Sequence, residues 1–112
     1  MQNRVVITGM GIYSCLGKTL DEVRDSLYSG KSGIVFDPVR KEMGFRSALT
    51  AKIEFPDLKK ELSRSQRIYM PEQAKYAYCA TVDALRQAGI DQDYIDRNEG
   101  GLLYGNDSSA EP

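Results

Sequence analysis

Arg4-Val5-Val6-Ile7-Thr8 is apolar at consecutive positions, and the run stops abruptly at Gly9-Met10-Gly11. A strand with one wet face alternates apolar and polar residues. A continuous β-branched run suits a strand covered on both faces, as in a parallel sheet between helices. Gly101-Leu102-Leu103-Tyr104 has the same character and is followed by Gly105-Asn106-Asp107-Ser108-Ser109. Two such strands separated by helical patterns predict an α/β architecture. The chain stops at Pro112, directly after the loop that the second strand delivers. Loops at the C-terminal ends of such strands are where α/β proteins place their sites, so a truncated protein is expected.

The helices are marked by their ends. Thr19-Leu20-Asp21-Glu22 has capping-box spacing: the Thr19 hydroxyl can accept from the backbone of Glu22 while the Glu22 side chain reaches back. Leu20, Val23 and Leu27 then share a face, and Gly30 offers a left-handed stop, which predicts a helix over about 20–29. Pro71 suits a first helical turn and Glu72 the positive end of the dipole. From there Ala74, Ala77, Tyr78, Thr81, Ala84, Leu85 and Ala88 keep helical spacing up to Gly89. Four alanines on that face allow close approach of another element. Asp91 can cap a short turn containing Tyr94 and Ile95. Gly33 to Phe36 reads as a short strand. Residues 37–70 read as a loop-rich excursion with one extended piece, Leu49 to Phe55.

Composition narrows the chemistry. None of the 112 residues is histidine, which removes Ser-His-Asp and Cys-His mechanisms, His-containing zinc sites and the usual base near neutral pH. Fifteen Lys and Arg against sixteen Asp and Glu give a net charge of −1, unlike a nucleic-acid protein with its basic face. No stretch reaches the ~18 apolar residues of a membrane span, and Met1 to Gly11 lacks the build of a signal peptide. Cys15 and Cys79 form neither a disulfide framework nor a CxxC metal site, and read as two structural thiols of a reduced cytosolic chain.

Three features are weighed for chemistry. Gly9-Met10-Gly11 sits between a strand and a helix, the setting of a dinucleotide fingerprint. The third glycine is replaced by Ser14, and the helix begins some eight residues late. Glycines for a tight turn fit better, although Asp37 stands at a plausible distance for a ribose ligand. A nucleophilic cysteine wants a helix N-terminus, a cation or a histidine, and neither Cys15 nor Cys79 has an evident one. Arg64 and Arg67, with Lys59 and Lys60 upstream, form a small basic cluster, either a solvated surface or a docking patch for an acidic partner.

Several of these residues carry a resemblance. Arg4-Val5-Val6-Ile7-Thr8-Gly9-Met10-Gly11-Ile12, Ser14, Leu16-Gly17 and Gly30-Lys31-Ser32-Gly33-Ile34 are similar to the start of β-ketoacyl-[acyl-carrier-protein] synthases of the elongating type. The match extends through Met43-Gly44-Phe45-Arg46-Ser47, Ala88-Gly89-Ile90 and Gly101-Leu102-Leu103-Tyr104-Gly105. It covers essentially the whole chain, most specifically the first 34 residues and least so residues 50–68.

The resemblance implies an α/β chain that forms the N-terminal portion of a thiolase-like fold of five αβαβα layers, with a mixed sheet between helices. Residues 1–112 would open the first half of such an enzyme. It implies an acyltransferase of fatty-acid or related acyl-chain biosynthesis that joins malonyl-carrier protein to an acyl chain by decarboxylative Claisen condensation. The expected partners are acyl carrier protein and a second copy in a cytoplasmic homodimer, with no nucleic acid, membrane, metal or cofactor. The family's nucleophilic Cys and His pair lie beyond this sequence, so no catalytic residue is carried over and the chain alone is expected to be inactive. By alignment, Ser108 falls at an acyl-pocket position, and Arg64 falls where relatives meet the carrier protein, with Arg67 nearby. Two rivals remain: a non-catalytic ketosynthase-like chain-length partner in a heterodimer, which the Asn106-Asp107-Ser108-Ser109 loop mildly favours, and a nucleotide-binding α/β domain.

Overall fold

The computed structural model describes residues 3–107. Its elements run α1 (Leu20–Tyr28), β1 (Ile34–Phe36), α2 (Pro38–Glu42), β2 (Leu49–Ala51), α3 (Arg64–Ile68), α4 (Glu72–Ala88) and α5 (Gln92–Arg97). They fall into two compact units. One is Tyr13–Phe55, and the other joins the segment ending at Ile12 to the chain from Pro56 onward.

In the first unit the local signals act as read. The Thr19 hydroxyl accepts from the Glu22 amide at 3.2 Å, opening α1. The Glu22 carboxylate reaches back one residue further than a capping box requires, accepting from the Lys18 amide at 2.6 Å. At the other end Lys31 N–H donates to the Ser26 carbonyl and Gly30 N–H to the Leu27 carbonyl, with Gly30 at φ +67. That pair of bonds is a Schellman stop. The expected apolar face is only partly realised: Leu20 and Val23 are half-buried while Leu27 is exposed. Ser26 is the covered residue instead, its hydroxyl donating to the Leu16 carbonyl at 2.6 Å. β1 pairs antiparallel with β2, Ile34 opposite Ala51 and Phe36 opposite Leu49.

Between those strands α2 replaces the loop expected there. Its signature is Asp37-Pro38: the Asp37 carboxylate accepts from Val39 N–H at 3.0 Å, and Pro38 begins the helix. A missing amide hydrogen costs nothing at that position, and the fixed proline φ suits it. Asp37 is thus spent as an N-cap, not presented as a ribose ligand.

In the second unit α4 is the spine. It begins after Pro71, which stands at the N-cap and not inside the first turn, and it ends on Gly89 at φ +70. The extended segment ending at Ile12 lies against it. A Cβ built on Gly9 would stand 3.0 Å from the Ala88 Cβ and collide with the Ala84 carbonyl; one on Gly11 would meet the Ala80 carbonyl group, its carbon at 2.8 Å. Two residues of extended chain advance about 6.6 Å, and four residues of helix about 6 Å. Gly9 and Gly11 therefore keep step with Ala84 and Ala80 in antiparallel sense. Neither glycine has a positive φ. They serve close approach to a helix, which corrects the tight-turn reading.

The two expected sheet strands are not in a sheet. Residues 4–8 and 101–104 are extended but join no ladder among the described residues, where β1 and β2 form the one sheet. Val5 is 93% exposed and Leu103 fully so. A strand is stable only when its amides and carbonyls find a neighbour's, and no such edge lies beside either segment here. Leu102 and Tyr104 border a recess whose other wall is Ala74, Ala77, Tyr78 and Thr81 of α4. Among the described residues, Leu58 is the one buried apolar side chain, at 4% exposure. Asp91 caps α5 as expected, accepting from Tyr94 N–H at 2.9 Å. No helix of the described residues is long and apolar enough to cross a membrane.

Candidate functional site

The basic cluster gains its shape from a turn and a helix that the loop-rich reading of 37–70 missed. Glu61 N–H and Leu62 N–H both donate to the Leu58 carbonyl, at 3.2 and 2.9 Å, winding residues 58–62 into a turn hung on the buried Leu58 side chain. Ser63 then opens α3 with a complete capping box. Its hydroxyl accepts from Gln66 N–H at 3.3 Å, and the Gln66 side-chain oxygen accepts from Ser63 N–H at 2.9 Å. The spacing Ser63-x-x-Gln66 was the available signal.

This geometry sets the four cations on one short stretch. Lys59 and Lys60 lie in the exposed turn, and Arg64 stands exposed at the first residue of α3. Arg67, one turn along, is half-buried, and its Nε donates to the Leu62 carbonyl at 3.2 Å, tying the helix back to the turn. None of the ion pairs among the described residues involves any of the four. Cations free of ion pairs attract anionic surfaces and raise encounter rates, although Glu61 lies among them and the Asp57 carboxylate accepts from the Lys59 amide at 3.1 Å. Arg64 and Arg67 are thus brought together. Ser108 lies outside the described residues.

The thiols are placed as structural groups. Cys15 packs against Gly33, where an added Cβ would stand 2.5 Å from its Sγ. Cys79 is half-buried in mid-α4. Burial, followed by the charges of Glu61 and Asp83, pushes its thiol pKa up. A raised pKa keeps the sulfur protonated and weakly nucleophilic. Among the described residues no group of three or more Cys, Asp or Glu side chains is placed to hold a metal ion. The dinucleotide geometry is missing as well: the helix after Gly11 begins only at Leu20, and both glycines are pressed against α4.

This chain belongs to the β-ketoacyl synthases: the family described as "Beta-ketoacyl synthase, N-terminal domain" matches residues 2–111. Its relatives include 3-oxoacyl-[acyl-carrier-protein] synthase 1 of Buchnera aphidicola subsp. Acyrthosiphon pisum, 37% identical over 95% of this chain and 26% of that protein. The enzyme of the same name in Haemophilus influenzae is 36% identical over 91% of this chain and 25% of its own length. The Escherichia coli K12 enzyme of that name is 33% identical over 91% and 25%. The chain spans about a quarter of the length of the curated relatives it matches.

Proposed function

We propose that this chain is the N-terminal segment of a β-ketoacyl-acyl-carrier-protein synthase of fatty-acid biosynthesis. The observation that carries the reading is the likeness to 3-oxoacyl-[acyl-carrier-protein] synthase 1, which runs along 95% of the chain rather than through one motif. In the proposed reaction an acyl group rests on a cysteine as a thioester. Malonyl-carrier protein loses carbon dioxide, and the resulting carbanion attacks the thioester carbonyl and releases the thiolate. The nucleophile and the histidines that assist it are not expected from these residues. The chain has no histidine, and its two thiols are occupied in packing. Its own contribution is scaffold and docking: Arg64 and Arg67, with Lys59 and Lys60, receive the acidic carrier protein, and Ser108 borders the acyl pocket.

Around this segment the proposal places a five-layer thiolase-like fold and a cytoplasmic homodimer. The exposed apolar runs at 4–8 and 101–104 support a larger sheet, because a continuous apolar strand is suited to cover on both faces.

The test is a condensation assay with acyl- and malonyl-carrier protein. The full-length protein is expected to form the β-ketoacyl product, while the purified 112-residue chain forms none. A full-length protein that decarboxylates nothing and condenses nothing would overturn the reading, and turnover by the short chain would overturn the scaffold role.

A further inference from the structure

The register of β1 and β2 gathers four apolar side chains on one side of the hairpin. Residues directly opposite in an antiparallel pair share a face, and so do residues two apart along one strand. Ile34 stands opposite Ala51 and Phe36 opposite Leu49, so these four make one face, with Val35 and Thr50 on the other. The first face is open: Ile34, Phe36 and Leu49 are 58, 56 and 59% exposed, and Ala51 is exposed with them. Cations border it. The Lys41 Nζ lies over the Phe36 ring, 5.9 Å from its centroid, and the Arg40 guanidinium lies over the Phe45 ring at 4.7 Å. Residues 31–52 carry Lys31, Arg40, Lys41, Arg46 and Lys52 against Asp37 and Glu42, a net charge of +3 in a chain whose total is −1. Asp37 already accepts from the Val39 amide, and no ion pair among the described residues involves any of the five cations.

An apolar centre with a charged rim is the anatomy of a protein interface. A second copy of the same hairpin would set +3 against +3, so charge argues against self-association through this face and for an acidic partner. We propose that the β1–β2 hairpin is a docking surface for an acidic protein. The partner's apolar side chains would pack on Ile34, Phe36, Leu49 and Ala51, and its carboxylates would meet the exposed Lys41 and Arg46. The acidic protein that the proposed reaction brings is acyl carrier protein. The inference therefore rests on the docking reading above, and it adds a contact on a different element from Arg64 and Arg67.

The experiment is a set of dissociation constants for holo-acyl carrier protein on the full-length protein, measured over a range of salt. Lys41→Glu with Arg46→Glu reverses two exposed charges, and binding should weaken about tenfold at low salt, with a shallower salt slope. Leu49→Thr keeps a strand-forming residue and removes apolar area, so binding should weaken about threefold with the salt slope unchanged. Urea midpoints should stay within error for both variants. Unchanged affinity in both would overturn the inference. In that event a lowered urea midpoint in Leu49→Thr would assign the face to the protein's own interior. A changed sedimentation coefficient would assign it to a second copy, and lost binding to anionic phospholipid vesicles would assign it to a membrane. Arg64→Glu separates the two readings. If it weakens binding and the hairpin variants do not, only the present inference fails. If the hairpin variants weaken binding and Arg64→Glu does not, the hairpin stands and the Arg64 patch fails. No binding by the unaltered protein would overturn both.

Discussion

Residues 13–55 and the two apolar segments at 4–8 and 101–104 make an instructive contrast. The first region is polar and short in its elements, yet its helices begin and end on signals within a few residues: Thr19 and Asp37 as caps, Lys31 and Gly30 closing α1. The apolar segments have the stronger strand-forming composition, yet they pair with nothing among the described residues and leave Val5 and Leu103 open to solvent. A cap needs only its own turn of chain. A strand needs an edge contributed from elsewhere, and β propensity expresses fit to a covered, pleated surface more than a backbone preference.

The contrast predicts that contacts distant in sequence matter more to stability than local signals, which can be tested by urea unfolding of the full-length protein. The largest effect is expected for Leu58→Ala, which empties the one buried apolar position among the described residues, at about 2–4 kcal/mol. Gly11→Ala should follow, at about 1–3 kcal/mol, because the new methyl meets the Ala80 carbonyl and the strap must lift from α4. Thr19→Ala and Ser63→Ala each remove a cap and should cost about 1 kcal/mol. Gly100→Ala, with open space around it and no positive φ, should change stability by less than about 0.5 kcal/mol. If the cap variants prove costlier than Leu58→Ala and Gly11→Ala, the contrast fails.

The smallest effect concerns pH. The folded Cys79 thiol holds its proton to higher pH than the unfolded one, through burial and then Glu61 and Asp83. Between those two values the folded state binds the extra proton, so stability falls as pH rises. Cys79→Ala should flatten that alkaline decline. In a Cys15→Ser background, alkylation of Cys79 near pH 8 should be slower than that of a free model thiol. Equal rates would remove the burial account.

What could be read from the sequence followed the same division. The Thr19 cap, the Gly30 and Gly89 stops, the Asp91 cap and the course of α4 all rest on residues within one or two turns, and all are present. The signals for α2 and α3 were also local, Asp37-Pro38 and Ser63-x-x-Gln66, but they lay in a stretch whose mixed charge and lack of periodicity read as loop. The purpose of Gly9 and Gly11 was not legible, because it depends on a helix some seventy residues away that sets their spacing. The same holds for the site. Arg64 and Arg67 were visible as a charge cluster, whereas the tie from Arg67 to the Leu62 carbonyl exists only once α3 is in place.

The central claim is that this segment brings the carrier protein to the enzyme and supplies none of the chemistry. It is tested most directly by steady-state condensation kinetics of the full-length protein carrying Arg64→Glu and Arg67→Glu together. The account predicts that KM for the acyl-carrier substrate rises about tenfold while kcat stays close to that of the unaltered protein. An unchanged KM, or a loss confined to kcat, would contradict it.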